Sequence, residues 1–132
     1  NSSARPTHRV LTGDEIRALA SRPGHSVGAH TVHHLALTTQ PVETKRKEIV
    51  ENKAALERLL QQPVPLFSYP YGDFDADMLA IVSEAGFRAA VTVQAGLMSA
   101  GTNRLLFPRH EVTPADHGCF PRRLREMFEG RC

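Results

Sequence analysis

His30-Thr31-Val32-His33-His34 places three imidazoles in five residues, and the separation of His30 from His34 lets one helical turn bring both rings to one face. Two neutral imidazoles can chelate one ion. They suit zinc, cobalt, nickel or iron, and such a pair usually takes a third ligand, often a carboxylate, leaving one position for water. The competing interpretation is a solvated, histidine-rich loop. His33, between the pair, is expected to point away and serve structure, and Thr31 to cap the turn or orient a ring. Tyr69-Pro70-Tyr71-Gly72 reads as a rigid turn in which proline fixes one dihedral and glycine permits close backbone approach, so a backbone N–H there can face an oxyanion. His110, after Pro108-Arg109, is a candidate general acid or a packing residue. His8, His25 and His117 have no partners in sequence and are expected at the surface.

These groups need elements to hold them. Thr12-Gly13-Asp14-Glu15 offers capping oxygens ahead of Ile16, Leu19 and Ala20, and Pro23-Gly24 closes a short helix. Ser26 to His30 is a small apolar run ending in polar residues, which suits a buried strand with His30 at its carboxyl end. Val42, Ile49, Val50, Lys53, Leu56, Leu59 and Leu60 recur at helical intervals between Pro41 and Gln62-Pro63, predicting a helix over 42–61. Pro65 to Tyr69 reads as a strand, and Asp75 or Asp77 as the cap of a helix carrying Met78, Leu79, Ile81, Val82 and Ala85 and ending at Gly86. Ala89 to Val93 and Leu105 to Phe107 are further strands, and Pro121 to Glu129 a terminal helix.

Strands alternating with helices imply a parallel sheet in an α/β fold, either layered or barrel. In both versions functional groups gather at the carboxyl ends of the strands. Here those ends carry His30 to His34, Tyr69 to Asp73, Gln94 to Gly96 and Arg109 to Glu111.

The 132 residues, 41% of them apolar, suffice for one domain with a sizeable core. The net charge of +2, from 16 basic and 14 acidic residues, is dispersed. Lys45-Arg46-Lys47 and Arg122-Arg123-Leu124-Arg125 are expected to be solvated helix faces, so no nucleic-acid partner is expected. No apolar run approaches the ~18 residues of a membrane span, and the polar start Asn1 to Pro6 lacks the apolar stretch of a signal peptide. A soluble chain is expected. Cys119 and Cys132 are too few for a disulfide framework and lack CxxC spacing, leaving one internal bridge open.

Taken in order, Gly28-Ala29-His30-Thr31-Val32-His33-His34, Phe67-Ser68-Tyr69-Pro70-Tyr71-Gly72 and Glu84-Ala85-Gly86-Phe87-Arg88-Ala89-Ala90-Val91 resemble the NodB-type polysaccharide deacetylases, carbohydrate esterases of family 4. These remove N- or O-acetyl groups from glycans. The first stretch is similar to the family's H-[S/T]-x-x-H motif, whose two histidines are metal ligands, and the second to its F-x-Y-P-Y-G form of a later motif. The resemblance implies a partial or distorted (β/α) barrel, with residues 1–132 the carboxy-terminal portion of a deacetylase domain. It implies a divalent metal on His30 and His34, zinc first and cobalt or nickel next, activating water against the acetyl carbonyl of an acetylated polysaccharide or oligosaccharide. The Tyr71 backbone N–H would stabilise the oxyanion, and His110 is the nearest candidate to protonate the leaving amine. An extracytoplasmic setting, periplasmic or secreted, is common in the family.

Two features depart from the pattern. The family's Asp-Asp motif, in a T-F-D-D type strand supplying the base and the third metal ligand, has no counterpart in Asn1 to Gly24. Ser68 stands where many members carry an arginine that orients the catalytic Asp, and Arg109 is the candidate to replace it. A barrel without its first strands exposes an edge, predicting self-association or a need for a missing N-terminal segment. Two functions therefore stand: a metal-dependent deacetylase, complete or not, and a non-catalytic carbohydrate-binding or scaffold module derived from that fold. A metal-independent hydrolase carries little weight, since no Gly-x-Ser-x-Gly elbow is present.

Overall fold

The computed structural model describes residues 9–114 and 118–129. Helix α1 (Gly13–Ala20) opens on a capping box: the Thr12 hydroxyl accepts the Glu15 N–H and the Glu15 carboxylate accepts the Thr12 N–H. Helix α2 (Val42–Leu60) starts directly after Pro41, and Gln61 ends it in the left-handed conformation, φ 54°, that glycine usually supplies. Helix α3 (Ala76–Glu84) is capped by Asp75, whose carboxylate accepts the Met78 N–H at 2.9 Å. Helix α4 (Phe120–Phe128) begins one residue before the expected start.

Strands β1 (Leu66–Ser68) and β2 (Ala89–Val91) pair in parallel, with Phe67 opposite Ala90. Ala29 adds a parallel bridge outside β1 and Phe107 one outside β2, so the four extended segments lie in chain order. That is the consecutive parallel arrangement of a (β/α) barrel wall. The outer strands expected over 26–30 and 105–107 shrink to one bridge each, for a local reason. Ala29 gives its N–H to Leu66 and takes that of Ser68, but two residues on the chain turns out of line at Thr31, φ 66°. At the other edge the Leu106 N–H closes a turn onto Asn103, so only Phe107 is left to pair.

The core lies where α2 and α3 pack together over the sheet. Ile49, Val64, Phe67, Met78, Val82 and Ala90 are buried there, and each large apolar side chain so buried contributes about 1.5–3 kcal/mol. On another side Gly28, Ala29, Leu66, Ala89, Val91 and Phe107 border an apolar cavity of about 360 Å³. The chain is thus a partial α/β barrel.

One charge expectation is corrected. Lys45, placed on a solvated face by its basic neighbours, is only 5% exposed, and its ammonium reaches Asp75 at 2.6 Å and Asp77 at 3.3 Å. A buried ammonium is tolerated only with such partners. It ties α2 to the start of α3, while Arg46 pairs with Glu84 at the other end of α3. His25 is exposed as expected, and His8, His117 and Cys132 lie outside the described residues. No helix among the described residues is long and apolar enough to cross a membrane.

Candidate functional site

Residues 30–34 leave the sheet at the carboxyl side of Ala29 and turn back sharply, with Thr31 at φ 66° and His34 at φ 56°. For a β-branched residue the left-handed region costs about 1–2 kcal/mol, so other bonds must hold the loop in place. The Thr31 hydroxyl accepts the His34 N–H at 3.1 Å, which makes Thr31 the cap of the turn. Its side chain is buried, and the imidazoles of His30 and His34 are left exposed beside each other, ring centres 4.7 Å apart.

The His30 ring has a defined tautomer. Its Nδ1 lies 2.7 Å from the Ser68 carbonyl oxygen, which can only accept, so Nδ1 carries the proton and Nε2 the lone pair. A metal ligand needs that lone pair, and the bond to a backbone carbonyl is the usual support of a ligating histidine. His33 turns away, as expected: its Nδ1 donates to the Glu48 carboxylate at 2.6 Å.

The opposite wall is the turn Pro70–Gly72. Tyr71 is held at φ 58° and Gly72 at φ 76°, and the exposed Tyr71 ring packs edge-on against His34, centres 4.7 Å apart. Glycine is required at 72, because a Cβ there would come within 2.6 Å of the Val93 backbone nitrogen. The phenol before it, Tyr69, is buried against Phe67 and Phe74, and burial pushes its hydroxyl up to about 12.

His30, His34 and Tyr71 are therefore brought together, while Arg109 and His110 lie on the segment that follows Phe107. The Arg109 guanidinium donates through Nε to the Thr92 carbonyl at 2.6 Å, and with His110, Val93 and Glu111 it borders a cavity of about 380 Å³. Nε2 of His110 is buried with no hydrogen-bond partner. Among the described residues no group of three His, Cys, Asp or Glu side chains could hold an ion. The two imidazoles fit a divalent ion as donors, and the described residues bring them no third ligand.

Two groups beneath the loop escaped the sequence reading. Glu48 and Asn52, one turn apart on α2, accept backbone N–H groups of the histidine loop. Their signal was a carboxylate and an amide within reach of the helix's apolar stripe, with Ile49 and Leu56 beside them.

Comparison with known proteins places the chain in a family. The family model described as polysaccharide deacetylase matches residues 6–90. YxkH of Bacillus subtilis (strain 168), whose name assigns it to the polysaccharide deacetylases, is 25% identical over 108 residues, covering 82% of this chain and 38% of that protein. The deacetylase PplD of Streptococcus pyogenes, solved in complex with acetate, superposes with a TM-score of 0.79 at 25% identity, over 96% of this chain and 52% of that one. IcaB of Ammonifex degensii shares the fold at a TM-score of 0.73 and 20% identity, over 87% of this chain and 53% of that one. The chain spans about half or less of the length of these relatives. With more than half of its residues matched by the family model and the same fold in solved members, the chain belongs to the NodB-type polysaccharide deacetylase family.

Proposed function

We propose that this chain is the histidine-bearing portion of a metal-dependent deacetylase acting on N-acetylated polysaccharide, and that His30 and His34 hold its divalent ion. The observation that carries the reading is the Nδ1 bond of His30 to the Ser68 carbonyl, which leaves Nε2 as a donor beside the His34 ring. Bound there, a divalent ion, zinc before cobalt or nickel, supplies a Lewis acid that lowers the pKa of water and polarises an acetyl carbonyl. The chain's own residues do the rest. The Tyr71 N–H, in the turn packed against His34, is the donor to the developing oxyanion. His110, which borders a cavity of substrate-accepting size, is the candidate acid for the leaving amine. Arg109 fixes the rim of that cavity through Thr92. Residues 1–132 serve as one part of a deacetylase domain in this reading, the carboxylate base and third ligand coming from elsewhere.

A second reading is favoured by one specific observation: among the described residues no carboxylate joins the two imidazoles. A carbohydrate-binding or scaffold module that keeps the histidine pair without turnover meets that description. Metal analysis of the parent chain beside His30→Ala and His34→Ala tests the assignment. One divalent ion per parent molecule and a loss of it in each variant are expected. Unchanged stoichiometry in the variants would sink it. Release of acetate from acetylated chito-oligomers by the metal-loaded parent then separates the enzyme from the module.

A further inference from the structure

We infer that Glu48 and Asn52 are positioning residues for the His30 and His34 pair, a two-pronged clamp on one face of α2 that sets the ligand loop. The inference rests on the reading that this pair holds a metal. Each prong takes different backbone groups. Asn52 Oδ1 accepts the His30 N–H at 3.0 Å. Glu48 Oε2 accepts the Val32 N–H at 3.0 Å and the His33 N–H at 2.8 Å, while its other oxygen accepts His33 Nδ1 at 2.6 Å. Three of the five loop N–H groups therefore end on two side chains one helical turn apart.

Energetics explain why a carboxylate occupies this place. Glu48 is 5% exposed, and a buried carboxylate is unfavourable unless its oxygens are filled. Burial pushes the carboxyl up, yet the His33 ring and the N–H groups of His33 and Val32 outweigh it and hold the group below the ordinary glutamate range. The ionised form is therefore the one that accepts all three donors. In return, the loop is kept in the left-handed conformations at Thr31 and His34 that an unsupported chain avoids. Those two turns set the rings of His30 and His34 side by side, while the His33 ring is tied to Glu48 and kept out of the ligand set.

The substitutions separate clamp from bulk. Glu48→Ala leaves the Val32 and His33 N–H groups without their acceptor. Glu48→Gln keeps one oxygen for both, and its amide N–H can meet His33 Nδ1 in the other tautomer, so the loop stays seated. Asn52→Ala frees the His30 N–H alone. Two readouts apply to the full chain: Zn²⁺ affinity by calorimetry and hydrogen exchange of the individual loop amides by NMR. Glu48→Ala is expected to weaken Zn²⁺ binding roughly 10- to 100-fold and to speed exchange at Val32 and His33. Asn52→Ala should do so less, with faster exchange confined to His30. Glu48→Gln should keep the parent affinity, whereas Glu48→Met, of the same reach but without an acceptor oxygen, should lose it as alanine does; a mere packing role predicts that both variants keep it.

A folded Glu48→Ala chain with parent Zn²⁺ affinity and protected Val32 and His33 amides would overturn the clamp. Should Glu48→Ala not fold, Asn52→Ala decides, and parent affinity with a protected His30 amide there overturns it equally. If the parent binds no Zn²⁺, the metal reading fails on its own account, and loop exchange in Glu48→Ala and Asn52→Ala still rules for or against the clamp.

Discussion

The histidine loop and the Arg109–His110 segment both leave the sheet on the carboxyl side of a parallel bridge, one after Ala29 and the other after Phe107, yet they are held in opposite ways. In the loop, the N–H groups of His30, Val32, His33 and His34 all end on side-chain oxygens, and the His30 ring is locked on Ser68. At the other end Arg109 is fastened through Gln94 and Thr92, and beside it Nε2 of His110 is buried with nothing to bond. An unpaired buried polar atom costs about 1–3 kcal/mol. A pair of ligands must be pre-set, because a metal reads their geometry. A group that exchanges a proton with substrate has reason to keep its nitrogen unengaged, and proteins accept local instability where function needs it.

The strongest way to break the contrast is to disturb both regions at once, and Gly72 is the residue that touches both. Its turn carries Tyr71 against His34, and it packs on Val93, which borders the His110 cavity. In Gly72→Ala the new methyl meets the Val93 backbone at φ 76°, a clash that neither partner can swing away from. A loss of about 3 kcal/mol or more of stability is expected. Denaturant unfolding checks it, and a loss under about 1 kcal/mol would show that the turn re-forms without glycine.

That residue also marks how far sequence reasoning reached. A Tyr-Pro-Tyr-Gly run announces a tight turn by its own chemistry, as the periodicity of 42–61 announces a helix and Thr12 with Glu15 a capping box. Those signals are local and survive folding. Lys45 was legible only as one of three adjacent basic residues, since its partners Asp75 and Asp77 lie some thirty positions away. Glu48 and Asn52 escaped notice for the same reason: their donors belong to a loop that ends eight residues before α2 begins. The outer strands were overread because an apolar run does not show where the chain turns beside it, at Thr31 on one edge and over 103–106 on the other.

A milder cut confines the damage to the loop. Thr31→Val keeps the buried shape but removes the oxygen that accepts the His34 N–H. About 1–2 kcal/mol of stability should go, together with the 4.7 Å packing of His34 on Tyr71, which cross-peaks between the two rings report. Retention of both stability and cross-peaks would mean that the clamp from α2 suffices alone.

The clamp in turn depends on where α2 sits, and Lys45 with Asp75 is its anchor to α3. Burial pushes the Asp75 carboxyl up, but the Lys45 ammonium and the Met78 N–H outweigh that and hold it below the ordinary 3.8. As pH falls, protons therefore bind the unfolded chain first. The stabilisation is fully present above about pH 4 and drains away as pH drops through the folded value. Asp75→Asn keeps a capping oxygen and loses the charge, so its melting temperature should fall a few degrees below the parent's at pH 7, and the gap should narrow as pH drops below about 4. A deficit that persists unchanged at low pH would assign the effect to the cap.

The smallest effect should have the opposite sign, and it tests the contrast from its other side. His110→Leu replaces a half-buried imidazole whose Nε2 has no partner by an apolar side chain of similar reach. Thr31→Val, Glu48→Ala and Asn52→Ala each remove an acceptor and strand a donor; this one removes the stranded atom. Stability should stay level or rise by up to about 1 kcal/mol. A fall of that size would mean that Nε2 is satisfied in solution, by water in the 380 Å³ cavity, and that His110 is as firmly built in as the loop. The sign of the change, read from one thermal melt beside Thr31→Val, thus decides whether the two ends of the site differ in kind: one set for ligands, the other left open for a proton.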